Sequence, residues 1–149
     1  MGLFDEVEVR SRFPELQAGQ FEITSPKTTS YNCVAWAAGD SSRWWWPDPQ
    51  CYWPKGILRK KTVDTFVQVF QSLGYELCDN ADLELGAEKI AIFVGPLGTP
   101  THAARQEANG EWTSKLGKLH DIRHVLDQVG GFRGDSYGTA TKFMRRPIK

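Results

Sequence analysis

The 149-residue sequence predicts an α+β domain in which N-terminal helices pack on a small antiparallel sheet. Three observations carry that reading. Two helical patterns, Tyr31 to Ala38 and Val63 to Leu73, fall in the first half of the chain. The hydrophobic period then changes in "EKIAIFVG" (Glu88 to Gly95), an apolar run that suits a buried strand. Beyond it, Asn109-Gly110 lies inside "THAARQEANGEWTSKLG", a strong hairpin signal. Helices first and antiparallel strands afterwards argue against an alternating α/β order.

The chain reads as one domain spanning residues 1–149, with residues 1–29 as an irregular arm whose "RFPEL" forms a docking turn. "TSPKTTS" is a polar loop that ends in Ser30, a candidate helix cap. From Tyr31 the small residues of "YNCVAWAAG" allow close helix packing, and Gly39 can end the helix. "SSRWWWPDPQCYWPKG" is a loop, since its prolines break any regular element. Val63, Phe66, Val67, Phe70 and Leu73 recur at helical spacing between a Thr62 cap and a Gly74 stop. After the hairpin, Ile122, Val125, Leu126 and Val129 return to helical spacing and stop at Gly130-Gly131. "TATKFMRRP" suits a final strand or a final helix.

Composition excludes several classes of function. The 18 basic and 18 acidic residues cancel, which gives no electrostatic reason to expect nucleic acid or an anionic membrane as partner. No stretch reaches the roughly 20 apolar residues of a membrane helix. The N-terminus has no positive leader followed by an apolar run, so the expected location is cytoplasmic, with signal-independent secretion as an effector left open. Gly2 follows Met1, but Glu6 stands where a myristoylation signal needs Ser or Thr. Cys33, Cys51 and Cys78 form an odd set with no CxxC pair, and His102, His120 and His124 complete no zinc pattern. "GPLGTP" lacks the GK[ST] of a phosphate loop. Neither a metal nor a cofactor is expected.

Chemistry concentrates on Cys33 and His102. A thiol in the first turn of a helix meets the positive end of the helix dipole, which favours thiolate; the competing reading is a small buried hydrophobe, the one given to Cys51 and Cys78. His102 opens a strand just after a Gly/Pro loop, where a base can face a helix-borne thiol. The orienting third group is open. If Ala108 pairs with Glu111 across the turn, Lys115 shares a face with His102 and Ser114 does not. Asp121, beyond that strand, is the remaining catalytic candidate. Tyr31 and Asn32 are candidates for the oxyanion and substrate contacts, with Asn32 preferred as the helix cap. In the tryptophan loop, one or two of Trp44, Trp45 and Trp46 shape a cleft rim, Trp45 among them, and Arg105 either binds a substrate carboxylate or decorates its strand.

A family resemblance supports the same pair. "YNC" opening a helix is similar to the Tyr-Asp-Cys that begins the catalytic helix of cell-wall endopeptidases in the papain-like superfamily. "KIAIFVG…THAARQ…WTSKLG" is similar to their three central strands, so the likeness covers Ser30–Gly117. "YNCVAWAAGD", "RWWWPDP" and "PTHAARQ" are also similar to phrases in a set of small bacterial proteins. The resemblance implies a papain-like fold and a cysteine peptidase or amidase. Its substrate would be a peptide, a peptidoglycan-like polymer or a protein amide. The pattern departs where Glu88 or Lys89 stands in place of the histidine that opens the first core strand of the cell-wall enzymes. The expected function is therefore a thiol hydrolase acting on an amide bond. The alternative is a non-catalytic binding or immunity-type module that meets a protein partner through its tryptophan loop. A third reading, a redox sensor built on Cys33, needs a resolving thiol.

Overall fold

The computed structural model describes residues 3–148. Its centre is one seven-stranded sheet, built from β1 (Glu22–Ser25), β2 (Glu76–Cys78), β3 (Ala87–Val94), β4 (Pro100–Gln106), β5 (Trp112–Lys115), β6 (Asp121–His124) and β7 (Thr139–Pro147). The spatial order is β1-β6-β5-β4-β3-β7-β2, and every neighbouring pair is antiparallel. Three short helices accompany it: α1 (Leu3–Arg12), α2 (Cys33–Ala38) and α3 (Val63–Gln71). This overturns the expected papain-like arrangement of N-terminal helices on a small sheet. The sheet dominates, and helices cover both of its sides.

Strand alternation explains the two-sided cover. Ile90 and Ile92 of β3 pack with Ala103 of β4 against α2, α3 and the tryptophan loop, where Val34, Phe66 and Phe70 are fully buried. Ala91 and Phe93 point the other way, with Ala104, and join Val9 of α1, Phe13, Leu16 and Ile122 in a second core. A strand buried on both faces reads as a continuous apolar run, which is what "KIAIFV" is.

Local chemistry sets the boundaries. Asn32 caps α2 by accepting from the Ala35 amide, and Gly39 ends it at φ 87°, so Ser30 is not the cap. Thr62 caps α3 by accepting from the Thr65 amide. The segment 1–29 is more regular than expected, because it holds α1 and β1. The helical spacing of Ile122, Val125, Leu126 and Val129 also misleads. Residues 121–124 form β6 with Ile122 buried, Val125 is 59% exposed, and only a single 3-10 turn (Leu126–Val129) follows. "TATKFMRRP" is the strand β7, paired along β3.

The hairpin between β4 and β5 decides which residues meet. The Glu107 amide donates to the Glu111 carbonyl at 2.7 Å, and Gly110 takes φ 89°. The loop is therefore Ala108-Asn109-Gly110, one residue longer than the predicted two-residue turn, with the left-handed glycine that such loops use. Register then runs Arg105↔Thr113 and Gln106↔Trp112. A one-residue slip exchanges faces along the whole strand. Ser114, not Lys115, lies on the side of His102.

No helix among the described residues is long and apolar enough to cross a membrane. The Gly2 lipidation reading lies outside the described residues.

Candidate functional site

Cys33 is the first residue of α2 and is 5% exposed. Its thiol has two opposing influences. Burial disfavours the thiolate, while backbone amides at Ala103, Val34 and Cys33 itself, with the charge of Lys115, favour it. Burial wins and pushes the thiol up to about 11, so Cys33 is protonated at neutral pH. The helix-start position that suggested activation is outweighed by dehydration.

His102 lies elsewhere. Alternation along β4 places it with Ala104 and Phe93, on the face opposite Ala103 and α2, and its ring meets Phe93 edge-on at 5.3 Å. It is fully buried and stacked on Tyr137, with centroids 3.9 Å apart and planes within 5°. No hydrogen bond joins it to Cys33. The expected Cys33–His102 dyad is not assembled, because a seven-stranded sheet separates the two side chains by strand parity.

His102 instead ends a buried polar chain. Its Nε2 is 2.8 Å from Ser114 Oγ, which is 2.7 Å from His124 Nε2. His124 Nδ1 is 2.7 Å from the Val125 carbonyl, which accepts only, so Nδ1 carries the proton. The remaining roles follow in sequence for neutral rings: Ser114 donates to His124 Nε2 and accepts from His102 Nε2–H. His102 Nδ1 is then a bare acceptor, buried and without a partner. Burial holds His102 well below the usual histidine range, reinforced by His124, and lowers His124 to about 4 despite its bond to Val125.

The face that carries Cys33 gathers other polar groups. Tyr31 donates its hydroxyl to Asp121 Oδ2 at 2.5 Å, and Ser25 donates to the same oxygen at 2.7 Å. Burial, reinforced by Asp121, pushes the Tyr31 phenol up to about 12. Lys115, directly across the β5–β6 ladder from Asp121, is 0% exposed and donates to the carbonyls of Thr28 and Gly117. Burial lowers its ammonium, opposed by the charges of Asp121 and Cys33. Asp121 thus stands with Tyr31, Ser25 and Lys115, not with His102. The predicted two-residue turn places Lys115 beside the histidine, and the three-residue loop turns it to the opposite face. Only the loop length signals the difference.

The other predicted contacts are committed within the fold. Asn32 spends its side chain on the Ala35 amide and on both backbone groups of Trp45, at 3.0 and 2.7 Å. Trp45 is buried and donates its indole N–H to Asp40, so it anchors the loop and forms no rim. Arg105 lies 3.8 Å over the Trp36 ring and donates to the Trp36 carbonyl and to Glu107. It lines a cavity of about 370 Å³ with Arg146, Glu88 and Tyr75, in which Arg146 is paired to Glu88. Cys51 and Cys78 are partly exposed rather than buried, and all three thiols are free.

Cys33 opens onto a different cavity, of about 310 Å³. Trp44 and Trp46 wall it, Tyr137 and Thr101 close one side, and Asp48 stands at its exposed edge. Tyr137 is set by Gly138, whose φ of 83° and approach to Val94 admit no Cβ, and by the Thr101 hydroxyl on its carbonyl at 2.6 Å. Among the described residues, Asp5, Glu8 and His120 bring three candidate metal ligands within 4.8 Å. Lys27 already supplies a positive charge to Glu8 at 3.0 Å.

No curated protein and no solved structure matches this chain. Residues 22–145, most of the sheet together with α2 and α3, match the family described as "Domain of unknown function (DUF7689)", and the chain belongs to that family.

Proposed function

We propose that this protein is a non-catalytic binding module whose ligand enters the cavity between Trp44, Trp46 and Tyr137. One observation carries the reading: Cys33 forms part of an open, aromatic-walled cavity, yet burial pushes its thiol up and no base among the described residues lies within hydrogen-bond reach. A nucleophile needs either a lowered pKa or an adjacent base, and Cys33 has neither. The cavity has the mostly apolar lining with few polar groups that small-group recognition uses.

A thiol hydrolase acting on an amide bond is the second reading, and one feature favours it. His102 Nδ1 is a bare acceptor whose ring is oriented through Nε2 by a hydroxyl, as a general base is held by a third group. The alkylation rate of each cysteine by iodoacetamide, followed by mass spectrometry from pH 5 to 9, separates the two. The binding reading expects Cys33 to react more slowly than Cys51 and Cys78 and to be indifferent to His102→Ala. A Cys33 that reacts fastest below neutral pH, and loses that advantage without His102, would establish the hydrolase.

A further inference from the structure

We infer that the cavity beside Cys33 is a recognition site for an organic cation, an ammonium group carried on apolar carbon; this rests on the binding reading above. Three features combine there. First, the walls are aromatic: the rings of Trp44 and Trp46, with Tyr137 beyond them. Indole faces are the strongest side-chain partners of a cation, and the attraction grows when water is excluded. Second, a carboxylate waits at the edge. Asp48 is exposed, and no hydrogen bond or ion pair among the described residues engages its side chain. Arg59 sits beside it but donates to the Asp48 backbone carbonyl, at 2.6 Å.

Third, the protein already lays a cation on one of these rings. The Lys61 ammonium stands 5.9 Å from the Trp46 centroid. Trp46 therefore presents a π-face within reach of positive charge. The interior cation nearest Cys33 is no competitor, because Lys115 spends its protons on the Thr28 and Gly117 carbonyls and faces Asp121. An anionic ligand would meet Asp48 and the negative faces of two indoles. A neutral apolar ligand would leave Asp48 without purpose at the mouth.

The tryptophan loop is built to hold this geometry. Trp46 donates its amide to the Tyr52 carbonyl, and Tyr52 donates its amide to the Trp44 carbonyl, so both cavity tryptophans are fixed by one short ladder. Trp45 points inward between them and is anchored to Asp40. The ring of Trp46 is steadied edge-on by Phe66, 5.4 Å away. A pre-set pair of rings avoids the ordering cost that a mobile loop would incur on binding.

The test follows the six indole N–H signals by NMR while choline chloride is added. Saturable shifts are expected at Trp44 and Trp46. The uncharged isostere 3,3-dimethylbutan-1-ol should bind at least tenfold more weakly, and Asp48→Asn should weaken choline about threefold to tenfold. Asp48 is exposed, so that variant folds as the wild type does. Trimethyl-lysine and lysine, each as the N-acetyl methylamide, identify the source. Tighter binding of either than of choline marks a protein side chain, and the reverse marks a free small amine; both uphold the cation. Equal binding of choline and its isostere would overturn the inference, as would unchanged indole signals or an indifferent Asp48→Asn. The alkylation experiment reports separately. A slow, His102-independent Cys33 with no choline response removes the cation and leaves the binding module standing.

Discussion

The surroundings of Cys33 and those of His102 bury polar groups under different rules. Around Cys33 the groups are ionisable: Lys115 donates to two carbonyls across the ladder from Asp121, and Asp121 accepts from two hydroxyls. On the His102 face the buried chain is neutral from end to end, two imidazoles and a hydroxyl closed by a carbonyl. The difference bears directly on catalysis. Moving the Cys33 proton to His102 would create an imidazolium in a hydrogen-bond chain that contains no carboxylate, and desolvation would oppose it. The surroundings of the thiol hold charged groups, and the hydrogen-bond chain that ends at the base holds none.

The largest effect that breaks this contrast is expected from Lys115→Met. It strips the donor from the Thr28 and Gly117 carbonyls and a nearby positive charge from Asp121, which should cost about 3–5 kcal/mol in urea unfolding at pH 7. Adding Asp121→Asn should recover part of that loss, whereas two independent sites would simply add. A Lys115→Met protein as stable as wild type would dissolve the distinction.

Acid should act on the other face. The folded His124 titrates near 4 against about 6.5 when unfolded, so the unfolded chain binds more protons between those values. Stability contributed by this site is complete above pH 6.5 and is lost as pH falls toward 4, by about 3 kcal/mol. His102, also depressed by burial, adds in the same direction. Urea midpoints measured from pH 7 to 4 should fall, and His124→Asn should flatten that slope. A slope unchanged by the variant would assign the acid sensitivity to other groups.

Ser114→Ala should cost about 2 kcal/mol, because it strands two buried ring nitrogens at once. Its second signature is spectroscopic: the imidazole 15N shifts of His102 should become a tautomer average, while those of His124, held by the Val125 carbonyl, keep the Nδ1–H form. Smallest of all, Asp48→Asn should leave thermal stability within about 0.5 kcal/mol, since the side chain has no partner to lose among the described residues. A larger change would mean that Asp48 supports the loop itself.

Legibility in the sequence followed the range of the interactions. The α3 helix was readable because Thr62, a 3.6-residue apolar stripe and Gly74 all act within a few residues. β3 was readable because both of its faces are apolar. α1, β1 and β2 were missed: α1 exposes Phe4 and Val7, and the two strands are short edges defined only by their neighbours. β6 imitated a helix because Ile122, Val125, Leu126 and Val129 stand at i, i+3, i+4 and i+7, yet only Ile122 lies in the strand and the others follow it in the turn. The candidate site was half legible. Cys33, Tyr31, Asp121 and the tryptophans of residues 44–46 lie on one side of the sheet, but the partner assigned to Cys33 depended on counting one loop. Asn109-Gly110 signals a turn without fixing its length, and that single residue moved Ser114 to His102 and Lys115 toward Cys33.

The ends of the sheet carry a consequence for assembly. The strand at one edge, β2, has three residues, and β1 at the other has four with an irregularity between Ile23 and Ser25. Backbone donors and acceptors left open there are too few to template another chain, which is how natural sheets avoid stacking side by side into fibrils. Concentrated solutions should remain free of aggregates paired strand to strand at β1 or β2.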